Sequence, residues 1–357
     1  MPEIHTSSRL EANFARIITE VDIGSTLRNV FRRKQKQRLP CPNTLEELRK
    51  LVDTDGSKPV CRCDQCDPRL YGSYCNCILR LHHHPKLKFK GTANEFRYQC
   101  YEPLTMASPF RSEAMILTRT AVRYFDRPID TLNTTQLTAL KNIQTWIQHY
   151  MVLFFSNTPA RSPTCLDEVY PIPSIRDLWT QINVLFFGSD MFYRKSKFRW
   201  LTEPHIQYPD VMGAAWRDSY YNITIVPTLD SFDMLGTLLH EICHSFFQQY
   251  CCRSCRSRAG NLCSDGHGRA WQILASAIER RFTEFTGLPI DLGRFEAIRH
   301  HWKSRAQLST LYDFGDWELE RQTLMRSYEC DLKAAVASHV GRGAEIEDFP
   351  LKVYGEY

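Results

Sequence analysis

Residues 238–244 read Leu-Leu-His-Glu-Ile-Cys-His, and this stretch decides which fold and chemistry the chain is predicted to have. His240 and His244 are four residues apart, so on an α-helix they lie about 40° apart around the axis and one turn apart along it. Both imidazoles can therefore reach the same metal ion. Glu241 lies about 100° round from His240, beside such an ion, where a general base for an activated water molecule must stand.

The same helix has an apolar face on the side away from the two histidines. Counting about 100° per residue from His240, four apolar residues fall between about 200° and 260°: Leu235, Leu239, Ile242 and Phe246. We predict a helix from about Phe232 to Tyr250, capped by Asp230 or Ser231. It would bury one face and turn the other toward a cleft.

A catalytic zinc site needs three protein ligands and an open position, so one ligand must come from elsewhere. An extended HExxHxxGxxH motif would place glycine at 247 and histidine at 250, but this chain has Phe247 and Tyr250, which excludes that class. Four downstream side chains remain as candidates: Asp265, His267, Glu279 and Glu284. Of these, His267 stands between two glycines at the start of a predicted helix from about Gly268 to Thr286, which Gly287 ends.

Upstream segments predict further elements. We expect short helices near residues 10–19 and 44–52. A long helix is predicted from Asn133, as its cap, to Ser156, and another from Ser174, as its cap, to Phe187. The β-branched and aromatic run Tyr220–Val226 predicts a strand.

These residues resemble those of the SprT-like (Spartan-type) zinc metalloproteases. The resemblance rests on residues 238–244 together with Gly-His-Gly-Arg-Ala-Trp at 266–271, and more weakly on the helix at 177–187 and the strand at 221–225. It covers about residues 165–290. The resemblance implies that His240, His244 and His267 bind Zn²⁺ and that Glu241 is the catalytic base. Some members of the family bind DNA and cleave proteins crosslinked to it, in DNA–protein crosslink repair.

The chain departs from the family pattern at two places. A cysteine-rich insert, residues 251–263, separates the two histidine motifs, and the segment after Gly287 has no CxxC pairs of the kind that form a zinc ribbon in some members. DNA targeting through such a ribbon is therefore not expected. The fold predicted for the chain is α+β: a zincin-like metalloprotease domain with a small sheet and a central HExxH helix. Its predicted divisions are a basic, cysteine-rich, partly flexible region 1–110, a helical lead-in 111–164, the protease domain 165–290 and a helical extension 291–357.

Composition sets the remaining expectations. The 357 residues are 43% apolar and 24% charged, as in ordinary globular proteins. We expect no membrane span, because no run of about 18 apolar residues occurs, and an intracellular location in the nucleus or cytoplasm. Residues 1–110 hold 18 Lys and Arg against 12 Asp and Glu, so the basic excess lies there. Its densest run, residues 32–38, suits a nuclear address, a phosphate-binding patch or a solvated terminal segment.

Fourteen cysteines are many for an intracellular chain. One cluster could hold a structural zinc ion, stay reduced or form disulfides: Cys61, Cys63, Cys66, Cys75 and Cys77. A second could clip the loop before His267, through zinc or disulfides, or be a variable loop: Cys251, Cys252, Cys255 and Cys263.

The predicted function is that of a zinc-dependent endopeptidase acting on protein substrates, with proteins associated with or crosslinked to DNA as one substrate class. DNA is an expected partner through the basic N-terminal region. The strand at 221–225 is expected to pair with the substrate backbone, as edge strands do. The alternative is a nucleic-acid-binding or scaffold protein whose zinc is purely structural.

Overall fold

A small mixed sheet packs against the helix that contains the HExxH residues. In the computed structural model its strands are β1 (Ser196–Trp200), β2 (Gly213–Arg217) and β3 (Tyr221–Ile225), in the order β1-β3-β2. β1 is parallel to β3, and β2 is antiparallel to it. The predicted strand at 220–226 is confirmed. Its expected pairing with substrate is wrong, because β3 is the central strand and its backbone is paired on both sides; β2 lies at the edge next to the helix.

The structure describes residues 41–54, 114–150, 154–155, 171–188, 196–201, 212–217, 220–251, 258–262, 265–305, 315, 317–345 and 349. From Pro42 onward they belong to one compact unit. This part is mixed α+β and mostly helical, which confirms the predicted class, whereas the zincin-like architecture and the domain boundaries stay predictions. The helices are α1 (Leu45–Thr54), α2 (Ala114–Phe125), α3 (Thr134–His149), α4 (Ile172–Phe187), α5 (Ser231–Tyr250), α6 (Arg258–Leu262), α7 (Arg269–Thr286), α8 (Arg294–Arg305) and α9 (Leu319–Gly341). None of these described helices combines the length and apolar character needed to cross a bilayer.

Helix α5 is the predicted two-faced helix. Its N-terminus is capped by Asp230, whose carboxylate accepts the backbone N–H of Asp233 at 2.8 Å. The four apolar residues predicted for the buried face are at most 1% exposed: Leu235, Leu239, Ile242 and Phe246. His240 and His244 lie on the partly exposed side, so the opposition of the two faces is confirmed.

Helix α7 packs beside α5 and begins where the sequence predicts. Gly268 is its N-cap, and Gly287 ends it in the left-handed conformation (φ 73°). Trp271, Leu274 and Ile278 recur at helical spacing and are at most 1% exposed. This burial fixes the N-terminus of α7 against α5.

Two helix boundaries differ from the prediction. Helix α3 has the predicted Asn133–Gln136 capping box but ends at His149, with Tyr150 as its C-cap, and not at Ser156. Helix α4 starts at Ile172, and Ser174 does not cap it. The Ser174 hydroxyl instead accepts the indole N–H of Trp146 from α3 at 2.8 Å, so a tertiary contact has taken the group that the sequence assigned to a cap. The predicted helix at 10–19 lies outside the described residues.

Candidate metal centre

Three imidazoles meet at the mouth of a cleft between α5 and the start of α7. The Nε2 atoms of His240 and His244 are 3.1 Å apart, those of His240 and His267 3.0 Å, and those of His244 and His267 2.9 Å. Among the described residues this is the one group of three or more His, Cys, Asp or Glu side chains placed to share an ion. The three ligands implied by the family resemblance are therefore brought together.

Trp271 of α7 packs against all three rings. Its ring centroid lies 4.6 Å from that of His240, 5.7 Å from that of His244 in a stacked arrangement, and 4.8 Å from that of His267. Since Trp271 is fully buried, it cannot shift without disturbing the packing of α7 against α5. It holds the imidazoles from the side away from the cleft.

The loop before α7 brings His267 to the site through one conformation that requires glycine. Gly266 has φ +88°, and a Cβ added there would lie 3.1 Å from the ring of His244. Gly268 has φ −69°, which any residue can adopt, so of the two glycines that flank His267 only Gly266 needs the conformational freedom of glycine. The backbone N–H of Gly268 donates to Leu262 at 3.0 Å and anchors the loop.

The rival third ligands lie in other interactions. The Asp265 carboxylate accepts the backbone N–H of His267 at 3.2 Å and lies 3.8 Å from its Nδ1, so it supports the histidine without joining the three nitrogens. Glu279 forms a buried ion pair with Arg294, and Glu284 pairs with Arg281. Of the four candidates, only His267 points a donor atom at His240 and His244.

Hydrogen bonding keeps His240 in the tautomer that binds metal, and burial favours the neutral form of His240 and His244. His240 Nδ1 donates to the backbone carbonyl of Leu292 at 2.7 Å, so the proton is on Nδ1 and Nε2 carries a lone pair. Burial lowers the pKa of His240 to about 3 and that of His244 well below its usual value. The three Nε2 atoms converge to about 3 Å, which is the arrangement that three nitrogen ligands of one ion would have. These residues fit a divalent metal ion.

Glu241 lies where the sequence predicts a base. Its Oε1 is 4.0 Å from His240 Nε2, the residue is only 4% exposed, and burial raises the pKa of its carboxyl group to about 8. The backbone N–H of Ala215 in β2 hydrogen-bonds this carboxylate and opposes that rise. Gly213 allows the close approach of β2, because a Cβ there would lie 2.5 Å from the Thr237 side chain and 3.2 Å from that of Glu241.

The outer edge of β2 is tied to the same helix at a second point. The Val226 N–H donates to the Met212 carbonyl at 2.8 Å, so the backbone of Met212 faces β3. Because facing alternates along a strand, the backbone N–H and carbonyl of Ala215, three residues later, face away from β3. Its carbonyl accepts the side-chain amide of Gln248 at 2.9 Å. Glu241 and Gln248, two turns apart on α5, thus hold the strand that borders the site. Sequence reasoning missed Leu292, Ala215 and Gln248, since two act through the backbone and the third has no motif.

The cleft has a volume of about 670 Å³ and runs along α5 between β2 and the segment after α7. Its described lining includes five carboxyl groups and one cation: Asp233, Glu241, Asp265, Asp291, Glu296 and Arg258. A bound dication does not reverse this negative balance.

Comparison of the chain with models of known protein families, with curated proteins and with solved structures finds no match. The predicted zinc ligands Cys61, Cys63, Cys66, Cys75 and Cys77 lie outside the described residues, as do Cys252, Cys255 and Cys263. Cys251 is buried directly after α5.

Proposed function

We propose that this protein is a zinc-dependent endopeptidase. The observation that carries the proposal is the carboxylate of Glu241, whose Oε1 lies 4.0 Å from Nε2 of His240 at the edge of an open cleft. A structural metal site needs no base, and it ordinarily has four protein ligands, whereas three ligands and an open position are typical of catalytic zinc. Three imidazole ligands suit zinc among the first-row divalent ions, with nickel and copper as competitors.

The proposed chemistry is hydrolysis of a peptide bond. When bound, the metal supplies Lewis-acid polarisation of a carbonyl group and lowers the pKa of water to about 7. Glu241 takes one proton from the water as its oxygen bonds to the carbonyl carbon, and passes that proton to the amine nitrogen as the C–N bond breaks.

The cleft supports a peptide substrate better than a nucleic acid substrate. Its described lining is negatively charged, which repels phosphate groups but not the uncharged backbone of a peptide. DNA, if it is a partner, would be bound elsewhere, and the basic region 1–110 is the candidate. Proteins held on DNA, the substrate class that the SprT-like resemblance implies, are therefore the substrates to test first.

The test is cleavage of an unstructured protein by the full chain loaded with zinc, with and without single-stranded or double-stranded DNA. Glu241→Gln should retain the metal and lose hydrolysis, because an amide cannot accept the proton. Glu284→Gln, on the neighbouring helix and paired with Arg281, serves as the matched control and should cleave normally. Undiminished cleavage by Glu241→Gln would refute the base, and DNA binding with metal but no hydrolysis under any condition would favour the scaffold alternative.

A further inference from the structure

The segment that joins α7 to α8 crosses α5 at the metal centre. Gly236 of α5 makes this approach possible, because a Cβ at that position would lie 2.3 Å from the carbonyl oxygen of Asp291. The next residue, Leu292, presents its carbonyl to His240 Nδ1 at 2.7 Å. The orientation of one histidine therefore depends on where this backbone segment lies.

A buried carboxylate holds that backbone from the other side. Glu279 of α7 accepts the N–H of Leu292 on Oε1 at 2.8 Å, so the two backbone groups of Leu292 bind Glu279 and His240. The other oxygen of Glu279 accepts Nε–H of Arg294 at 2.6 Å. Both side chains of this ion pair are fully buried. A contact chain thus runs from Arg294 through Glu279 and Leu292 to His240.

The start of α9 completes the support. The remaining N–H groups of Arg294 donate to the carbonyl of Trp317 and, at 3.2 Å, to that of Glu318. Among the described residues Glu318 is the only non-glycine residue with a positive φ (46°), a conformation that L-residues rarely adopt. Its carboxylate is held by Ser276 at 3.1 Å and Arg321 at 3.2 Å. This turn presents two carbonyl groups to one guanidinium.

Gln322 of α9 fixes both ends of the crossing segment. Its side-chain amide donates to Asp291 Oδ1 at 2.5 Å, and its carbonyl oxygen accepts the N–H of Phe295 at 3.1 Å. Asp291 Oδ1 also accepts the N–H of Gly293 at 2.8 Å. Gln322 is 3% exposed, so water does not replace these bonds at low cost. Helix α9 therefore hydrogen-bonds to the crossing segment, residues 291–295, whose Leu292 carbonyl binds the candidate ligand His240.

We propose that Glu279 is a positioning residue of the metal centre, and that Arg294 and Gln322 make the C-terminal helix α9 part of the support for His240. This inference rests on the proposed metal site. A ligating histidine is oriented by the group that receives its other N–H, and loss of such a partner weakens metal binding about 10–100-fold. Here the group that receives the N–H of His240 is the backbone carbonyl of Leu292. Glu279, which holds the backbone of Leu292, therefore orients His240 indirectly, whereas in many metal sites a carboxylate binds the histidine directly.

A buried ion pair could instead serve the fold alone, and one double variant separates the two roles. Glu279→Met with Arg294→Met replaces the pair by apolar side chains of similar length, a change that often preserves stability. It also removes the acceptor of the Leu292 N–H. The positioning role expects a folded protein that binds metal about 10–100-fold more weakly. A purely structural role expects wild-type affinity once stability is restored.

The experiment measures the affinity of the full chain for Zn²⁺ and Co²⁺ by competition with a chelator, with unfolding by urea in excess chelator as the stability reference. The visible spectrum of the Co²⁺ form should also shift, because it reports ligand geometry. Wild-type affinity and spectrum in the folded double variant would overturn the inference and leave the metal site standing. Failure of the wild-type chain to bind metal would instead overturn the proposed site and this inference with it.

If the double variant does not fold, Gln322→Leu decides. It leaves the ion pair intact, removes the bonds to Asp291 and Phe295, and should weaken metal binding about tenfold. Tyr328→Phe is the matched control, since it removes a hydrogen bond between α9 and the Gly287 carbonyl, away from the crossing segment. Equal metal affinities for these two single variants would refute the role of α9.

Discussion

Gly236→Ala should destabilise the protein and weaken its metal site together. At most interior helix positions this change is stabilising, by about 1 kcal/mol, because alanine has the higher helix propensity. Here the new Cβ would lie 2.3 Å from the Asp291 carbonyl oxygen and 3.3 Å from its carbonyl carbon. Both are backbone atoms, so the crossing segment must move as a whole.

The size of the effect follows from the distances. Contacts of a Cβ under 3.0 Å are essentially not found in proteins, so Asp291 has to retreat by at least about 0.7 Å. A shift of that size would lengthen the 2.7 Å bond between Leu292 and His240 to about 3.4 Å, at the limit of a hydrogen bond. Overpacking costs about 1–3 kcal/mol, so after the propensity gain we expect a net loss of up to about 2 kcal/mol. Metal affinity should fall about 10–100-fold.

The assay is urea unfolding followed by circular dichroism, in chelator and again with saturating Zn²⁺, beside a chelator competition for the metal. The difference in stability between wild type and variant should be larger with saturating Zn²⁺ than in chelator, because the tighter binder gains more stability by linkage. Gly341→Ala is the matched control, since a Cβ there meets nothing within 4 Å. A Gly236→Ala protein that is as stable as wild type and binds metal equally would refute the reasoning.

Three further outcomes are expected. His267→Ala should abolish activity and cut metal affinity far more than Asp265→Ala, for which we expect about tenfold; the reverse order would exclude His267 as the third ligand. Burial, with neighbouring carboxylates, raises the pKa of Asp233 to about 6, so its ionisation costs stability as pH rises from about 4 to 6. The full pKa shift corresponds to about 3 kcal/mol, which we reduce to about 1 kcal/mol because Asp233 is exposed to solvent. In urea unfolding, Asp233→Asn should therefore be as stable as wild type at pH 3.5 and about 1 kcal/mol more stable at pH 7.5. A stability difference that does not change with pH would show that the pKa shift is absent. Deleting residues 1–41, which contain the basic run 32–38 and precede the compact unit, should weaken DNA binding and flatten its salt dependence while sparing hydrolysis of an unstructured protein, and unchanged DNA affinity would discard that role.

The elements that the sequence predicts well are those specified by their own residues. Asp230 at the start of α5 and Gly287 at the end of α7 act within one turn of the helix they bound, so the helices that carry the candidate ligands could be located by inspection. In strand β3 every residue except Asn222 is β-branched or aromatic. Local chemistry is sufficient for such elements.

Elements that depend on distant partners could not be predicted in the same way. The sequence of β2 is Gly-Ala-Ala-Trp-Arg, in which only the tryptophan favours a strand. The strand forms because it pairs with β3 and packs against α5. The order β1-β3-β2 follows from the same tertiary contacts, and it made the expected edge strand the central one. Ser174 is a second example: its side chain suits a helix cap, but in the fold its hydroxyl instead accepts a hydrogen bond from Trp146 of another helix.

The candidate site divides along the same line. His240 and His244 are related by one helical turn, so their joint approach to an ion is legible in the spacing alone. The group that orients His240 is the carbonyl of Leu292, 52 residues away, and every residue type has a carbonyl, so no side-chain pattern can mark it. The sequence does contain one sign of this contact, Gly236 within a helix, where glycine has a low helix propensity. The reason for glycine is visible only in the structure, where the backbone of Asp291 lies against it. Glu279 and Arg294 likewise cannot be explained from the sequence, because a buried charge without a partner is destabilising. Their presence is explained only in the fold, where they form an ion pair and where the backbone of Leu292 lies between Glu279 and the metal centre.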